Sequence, residues 1–179
     1  EDCEIFQFKD DGISSSSLVD TCIVRNTTFH DIKRSGIEFP RSGMCQNLVV
    51  ENCTFYRLGE HAIDVSQGDI PLKVRVENVT IYSCLSGIHL IDVADAFISK
   101  SIITKCGVYA IQSPPAVVLS NINTFENRDD FRNDTGCEDC LIADPLFFDP
   151  NAGDFSLLPD SPCLVSGIAD TPLGDPRWT

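Results

Sequence analysis

The chain has 179 residues, 42% of them apolar and 22% charged, which fits one folded domain and excludes a disordered or fibrous chain. Acidic residues outnumber basic ones 27 to 13, and the net charge of −14 repels a phosphate backbone, so no nucleic-acid partner is expected. No apolar run reaches the roughly eighteen residues of a membrane helix, so no membrane insertion is expected either. The same charge disfavours acidic polysaccharides unless cations bridge the two surfaces. Any targeting segment is expected to have been removed or to lie outside this stretch.

From Cys22 the chain repeats itself. The stretch Cys-Ile-Val-Arg-Asn-Thr-Thr-Phe beginning at Cys22 is followed by Leu-Val-Val-Glu-Asn-Cys-Thr-Phe from Leu48, Val-Arg-Val-Glu-Asn-Val-Thr-Ile from Val74 and Ala-Phe-Ile-Ser-Lys-Ser-Ile-Ile from Ala96, with a fainter copy reaching Asn121. Each copy leads into a second motif: Gly36-Ile37-Glu38-Phe39, Ala62-Ile63-Asp64-Val65, Gly87-Ile88-His89-Leu90 and Ala110-Ile111-Gln112-Ser113. Apolar and polar residues alternate with period two in three short bursts per unit, which predicts three strands per unit. Stacked about 4.8 Å apart, such units bury Val24/Val50/Val76/Ile98, Phe29/Phe55/Ile81/Ile103 and Ile37/Ile63/Ile88/Ile111 as continuous columns. A period of 22–26 residues without a helical half predicts an all-β chain: a right-handed, single-stranded parallel β-helix of about five coils and three sheets over residues 1–140.

Asn26, Asn52 and Asn78 share one repeat position, where Asn suits a left-handed turn and its amide can bond to the turns above and below. They match the glycosylation sequon, as does Asn133, but a stacked inward amide cannot carry a glycan. Cys22, Cys84 and Cys106 fall in apolar columns and read as small core residues. Cys137 and Cys140 read as a local turn disulfide or as plain thiols rather than half a zinc site, since no matching second pair follows.

From about Asn127 the repeat pattern fades, and residues 141–179 become rich in proline, which suits a cap that stops a solenoid. This segment is expected to cover the outward apolar column Ile23/Val49/Phe97/Val118. The run Asp-Pro-Leu-Phe-x-Asp-Pro from Asp144, then Gly-Asp-Phe-x-Leu from Gly153, Asp-Ser-Pro from Asp160 and the terminal Gly174-Asp175-Pro176-Arg177-Trp178 resemble the endings of secreted bacterial right-handed β-helix proteins of the pectate-lyase-like and chondroitinase-B-like superfamily. The resemblance implies an extracellular, cell-surface or periplasmic module of a polysaccharide-processing protein, acting on a polysaccharide or oligosaccharide. It is specific for fold rather than for activity, because the superfamily holds lyases, hydrolases, epimerases and non-catalytic binders.

In sugar-active members of that superfamily the groove runs along one sheet, here the one carrying Glu38, Asp64, His89 and Gln112 outward, one per coil. Two carboxylates about 5 Å apart beside an imidazole could serve as acid, nucleophile and proton carrier in glycoside cleavage. They could equally hold Ca²⁺ at Glu38 and Asp64, although no cofactor is required. Arg34, Arg57 and His61, on the loops entering the sheet, and Arg41, leaving it, are candidate substrate contacts, as a lyase needs cations for its enolate. The paired Asn-Lys-Ser lysine motif of those lyases has no counterpart on the right turn. Tyr56 and Tyr82, in file with His30 on the middle strand, could stack on sugar rings. The residues thus fit first a carbohydrate-binding module, then a lyase or hydrolase, and then a structural, adhesin-like solenoid.

Overall fold

A computed structural model describes residues 2–15, 18–40, 44–66, 72–93, 95–132, 136–166 and 171–179. Arg41 and the sequon at Asn133 lie outside the described residues. The chain is a β-solenoid of about five turns, with 54% of the described residues in strands and 4% in helix. Its long sheet contains the strands Glu4–Phe6, Leu18–Arg25, Thr28–His30, Met44–Tyr56, Lys73–Tyr82, Asp95–Thr104, Val118–Phe125, Cys137–Glu138 and Leu141–Ile142. The short sheet contains Ile13–Ser14, Ile37–Phe39, His61–Ser66, Ser86–Ile91, Ile111–Gln112 and Phe131–Arg132. Every pairing in both sheets is parallel.

The repeat alignment matches the strand register. Val50 stands opposite Val24 and Val76, Phe55 opposite Phe29 and Ile81, and Ile63 opposite Ile37 and Ile88, all of them buried. Two of the three expected sheets are one. From the second unit on, the first and second bursts run through as a single strand, bent where Asn52, Asn78, Lys100 and Asn121 take φ near +50°; in the first unit Asn26, with the same φ, separates Leu18–Arg25 from Thr28–His30. Asn tolerates that left-handed conformation, and the amides form a ladder: Asn78 Nδ2 donates to Asn52 Oδ1 (3.1 Å), and Asn52 Nδ2 to Asn26 Oδ1 (3.2 Å). A second left-handed column, Asp31, Arg57, Ser83, Lys105 and Glu126, turns the chain toward the short sheet. The solenoid also extends at both ends of the recognisable repeat, through Ile5 and Ile13 before it and through Phe131, Cys137 and Cys140 after it. Leu141–Ile142 still pairs with the preceding coil, so coil structure passes two residues beyond 140.

Cys45, Cys53, Cys84, Cys106 and Cys163 are buried thiols, and burial pushes Cys84 up to about 12. Cys137 and Cys140 form a disulfide.

The C-terminal segment takes an unexpected path. It packs on the outer face of the long sheet beyond the Asn bend rather than on Ile23, Phe97 and Val118, which stay exposed. An antiparallel hairpin, Phe147–Asp149 with Asp154–Leu157, sets fully buried Phe155 edge-on against Tyr56, Tyr82, Phe147 and Trp178. Asp175 is completely buried. It caps the 3-10 turn Pro176–Trp178, accepts from Thr54 Oγ1 at 2.7 Å and binds the Arg177 guanidinium, while its backbone N–H donates to Thr80 Oγ1. Trp178 Nε1 donates to the same Thr54 hydroxyl (2.8 Å), and Gly174, at φ +86°, sits where a Cβ would come within 2.7 Å of Thr80 Oγ1. The apolar side was expected to carry this cover because its unprotected residues are the more hydrophobic. The threonine file wins because it offers hydroxyls that satisfy a buried carboxylate and an indole N–H.

Candidate functional site

The cap removes one candidate surface. Tyr56 and Tyr82 are 7% and 5% exposed, and Phe155 occupies the place a sugar ring would need, which corrects their assignment as stacking residues. Arg57 belongs to that flank too. It lies over the Tyr56 ring, holds Asp31 through two nitrogens at 2.7 Å and donates to the Asn151 carbonyl. Its guanidinium, the largest influence on Asp31, holds that carboxyl down to about 2. A cavity of about 270 Å³ between cap and solenoid is bordered by Lys105 and Glu126, which pair with each other at 3.6 Å.

The short sheet keeps its polar file. Register places Ser14, Glu38, Asp64, His89, Gln112 and Arg132 side by side on successive coils. Glu38, Asp64, His89 and Gln112 are half-buried, and Ser14 and Arg132 are exposed. Strand alternation aims these side chains outward while Ile37, Ile63, Ile88 and Ile111 point into the core.

His61 enters from the start of the strand His61–Ser66. Two successive buried residues, Ala62 and Ile63, break the alternation there, so His61 and Asp64, three apart, share the outer face. The His61 and His89 rings stack with centroids 4.8 Å apart and 14° between their planes. Asp64 joins them: Oδ1 lies 2.9 Å from His89 Nδ1 and accepts from Ser66 Oγ at 2.9 Å, and Oδ2 is 4.0 Å from His61 Nε2. Tyr109 adds a third ring 6.1 Å from His61, its hydroxyl 3.5 Å from His61 Nδ1. Tyr109 stands one coil beyond Ser86, and that small residue leaves room for the phenol to reach back to His61. The Arg132 guanidinium lies 5.9 Å from the Tyr109 ring.

Burial lowers the His61 pKa against the pull of Asp64. Burial also opposes ionisation of Asp64, yet the hydrogen bond from His89 and the neighbouring charges outweigh it, and Asp64 stays below the usual carboxylate range. Glu38 behaves oppositely. Burial first, then its hydrogen bond to Asp11 and the Asp11 charge, push it up to about 7 despite Arg34. The two carboxylates therefore occupy adjacent strands but different environments: Asp64 belongs to the histidines, Glu38 to an acidic pocket with Asp11 and Glu60. Arg34 fills that pocket, reaching Asp10 (2.8 Å), Asp11 (3.3 Å), Glu38 (3.2 Å) and Glu60 (3.4 Å).

The repeat alignment therefore located the file Glu38-Asp64-His89-Gln112, and the structure brings His61 and Arg34 to it while sending Arg57, Tyr56 and Tyr82 to the cap. Tyr109, Ser66, Asp11, Glu60 and Arg132 escaped the sequence reading. Tyr109 had a signal, since it stands one residue before Ala110 as His61 stands before Ala62. Asp11 and Arg132 lie on end coils where the repeat is too faint to align.

No curated protein matches the chain. Residues 22–178 match the family model described as "Domain of unknown function (DUF5123)", and with that match covering most of its length the chain belongs to this family.

Proposed function

We propose that the chain is a carbohydrate-interacting module whose glycan lies across the short sheet, along Glu38, Asp64, His89, Gln112 and Arg132. The observation behind this reading is the contrast between the two outer faces: the tyrosine file is covered by the cap, whereas the short sheet keeps polar side chains at strand spacing beside the His61 and Tyr109 rings. Such a surface offers carboxylate, amide and imidazole groups to hydroxyls at a repeat of about 4.8 Å, about the length of a sugar unit. The net charge of −14 favours neutral glycans, or acidic ones bridged by Ca²⁺. An extracellular setting fits the Cys137–Cys140 disulfide.

The test is a binding and degradation screen against neutral and acidic polysaccharides, with and without Ca²⁺. The expected result is retention by at least one neutral glycan, weakened about tenfold or more by Gln112→Ala. Failure to bind any glycan, or binding untouched by Gln112→Ala and Asp64→Ala together, overturns the reading. A second reading, glycoside cleavage, rests on the direct pairing of Glu38 with Asp64 across adjacent strands, a spacing suited to a retaining pair. It requires release of reducing ends that Glu38→Gln abolishes.

A further inference from the structure

We propose that His61, Asp64 and His89 form an open binding site for a zinc-class divalent cation. Each residue offers one donor atom, and the three donors lie within 4.8 Å of one another. Two imidazoles approach the two oxygens of one carboxylate, His89 Nδ1 at 2.9 Å from Oδ1 and His61 Nε2 at 4.0 Å from Oδ2. Tetrahedral Zn²⁺, with bonds of about 2.0–2.2 Å, needs donors roughly 3.3 Å apart. With donors up to 4.8 Å apart, the widest pair has to close by about 1.5 Å at most, a movement within the reach of side-chain rotation. An entering ion takes His89 Nδ1 in place of the proton shared with Asp64, that proton passing to Nε2 of the same ring or to solvent, and draws His61 inward.

The surroundings are those of a built site. Ser66 Oγ holds Asp64 Oδ1, and the Tyr109 hydroxyl lies beside His61 Nδ1, the ring nitrogen turned away from Asp64. Outer partners of this kind fix the orientation of ligating carboxylates and imidazoles. Because a bound ion lies near the plane of each ligating imidazole, binding turns the two stacked rings out of parallel as they converge on it. The side chains of His61, Asp64 and His89 are 20%, 17% and 15% exposed, so an ion can reach them, and three protein ligands leave a fourth position to water. The donor set selects the ion: two imidazole nitrogens suit Zn²⁺ and its neighbours, whereas Ca²⁺ requires six to eight oxygens. The overall charge of −14, with Glu38 on the adjoining strand, attracts a cation to this face. The inference stands apart from the saccharide reading, and its test contains no saccharide, so the two can fail separately.

The experiment is calorimetric titration of the EDTA-treated chain with Zn²⁺ near pH 7.5, followed by X-ray absorption spectroscopy of the zinc-loaded protein. One Zn²⁺ per chain is expected, with micromolar affinity or tighter, no heat from Ca²⁺ at the same concentration, and a zinc shell of nitrogen and oxygen including two imidazoles. His61→Ala and His89→Ala should each weaken binding about 100-fold, with circular dichroism confirming that they remain folded; Tyr109→Phe should weaken it less. Cys3→Ser with the Cys137–Cys140 disulfide intact should leave affinity unchanged. Absence of stoichiometric binding, a sulfur shell in the spectrum, or affinity unaltered in both histidine variants overturns the proposal. The spectrum reads the wild-type chain, so a variant that fails to fold still leaves a decisive result.

Discussion

Glu38 is the residue whose environment most opposes its charge. Asp11, Glu60 and Asp64 face it with negative charge, Arg34 answers them among the described residues, and burial adds to the cost. The folded chain keeps the Glu38 proton up to about pH 7, whereas an unfolded glutamate releases it near 4.5. Between those values the folded state binds more protons, so this contribution to stability is complete below about 4.5 and is lost as pH rises through about 7. Glu38→Gln keeps a donor for Asp11 and an acceptor for Arg34 at every pH. In EDTA, its midpoint relative to wild type should therefore rise between about pH 5 and pH 8, by roughly 2–4 °C for each 1 kcal/mol recovered. A difference that stays constant over that range rules this account out. Asp175 is the opposite case, a fully buried carboxylate whose partners all bind its charge. Removing it takes the carboxylate from the Arg177 guanidinium and the acceptor from the Thr54 hydroxyl, so Asp175→Ala should cost about 2–4 kcal/mol in urea unfolding.

Among the elements, the bent long strands depend on a conformation that most residues resist. The left-handed turn at Asn52 and the amide ladder through it can be separated by substitution. Asn52→Gly keeps the backbone freedom and loses the ladder, and should cost about 1 kcal/mol. Asn52→Ala loses both and should cost about 2–3 kcal/mol in the same urea titration, the excess being the left-handed penalty. Equal losses in the two variants contradict a strained turn. Much of this architecture was legible because a solenoid writes its contacts at fixed intervals: Val24, Val50 and Val76 are neighbours in space because they are one period apart in sequence. The same regularity disclosed Glu38, Asp64 and His89 as a file. It could not disclose the merging of two bursts into one strand, since a bend at Asn and a break between sheets leave the same pattern of residues. Nor could it place Arg34 or Tyr109, whose partners are set by side-chain reach across coils. The cap face was misplaced for a physical reason as well. Burial of Tyr56 and Tyr82 under Phe155 depends on hydroxyl partners at Thr54 and Thr80, and their alternating pattern resembles that of any solvated strand.

At the scale of the molecule, the cap changes how the solenoid holds together. In a stacked repeat each coil touches only its neighbours, so stability is close to a sum of local terms, and the ends can open independently. The last residues of this chain cross that order. Arg177 donates to the Asn26 carbonyl, Asp175 and Trp178 engage Thr54, the Asp175 N–H reaches Thr80, and the Gly174 N–H reaches the Lys100 carbonyl, so one short segment ties four successive coils. Opening any of those coils must strain or release this strap, with the Phe155 cluster as its apolar anchor. Unfolding of the full chain is therefore expected to be a single transition, with matching midpoints by far-ultraviolet circular dichroism and by Trp178 fluorescence. Phe155→Ala should lower stability by about 3–5 kcal/mol while keeping one transition, because the polar ties remain. A chain ending at Ala143 loses ties and anchor together. Its circular-dichroism transition should broaden or split, and amide exchange should become graded along the coils, fastest at the ends. If the shortened chain still unfolds in one sharp step with uniform protection, the coils cohere through stacking alone and the strap merely covers them.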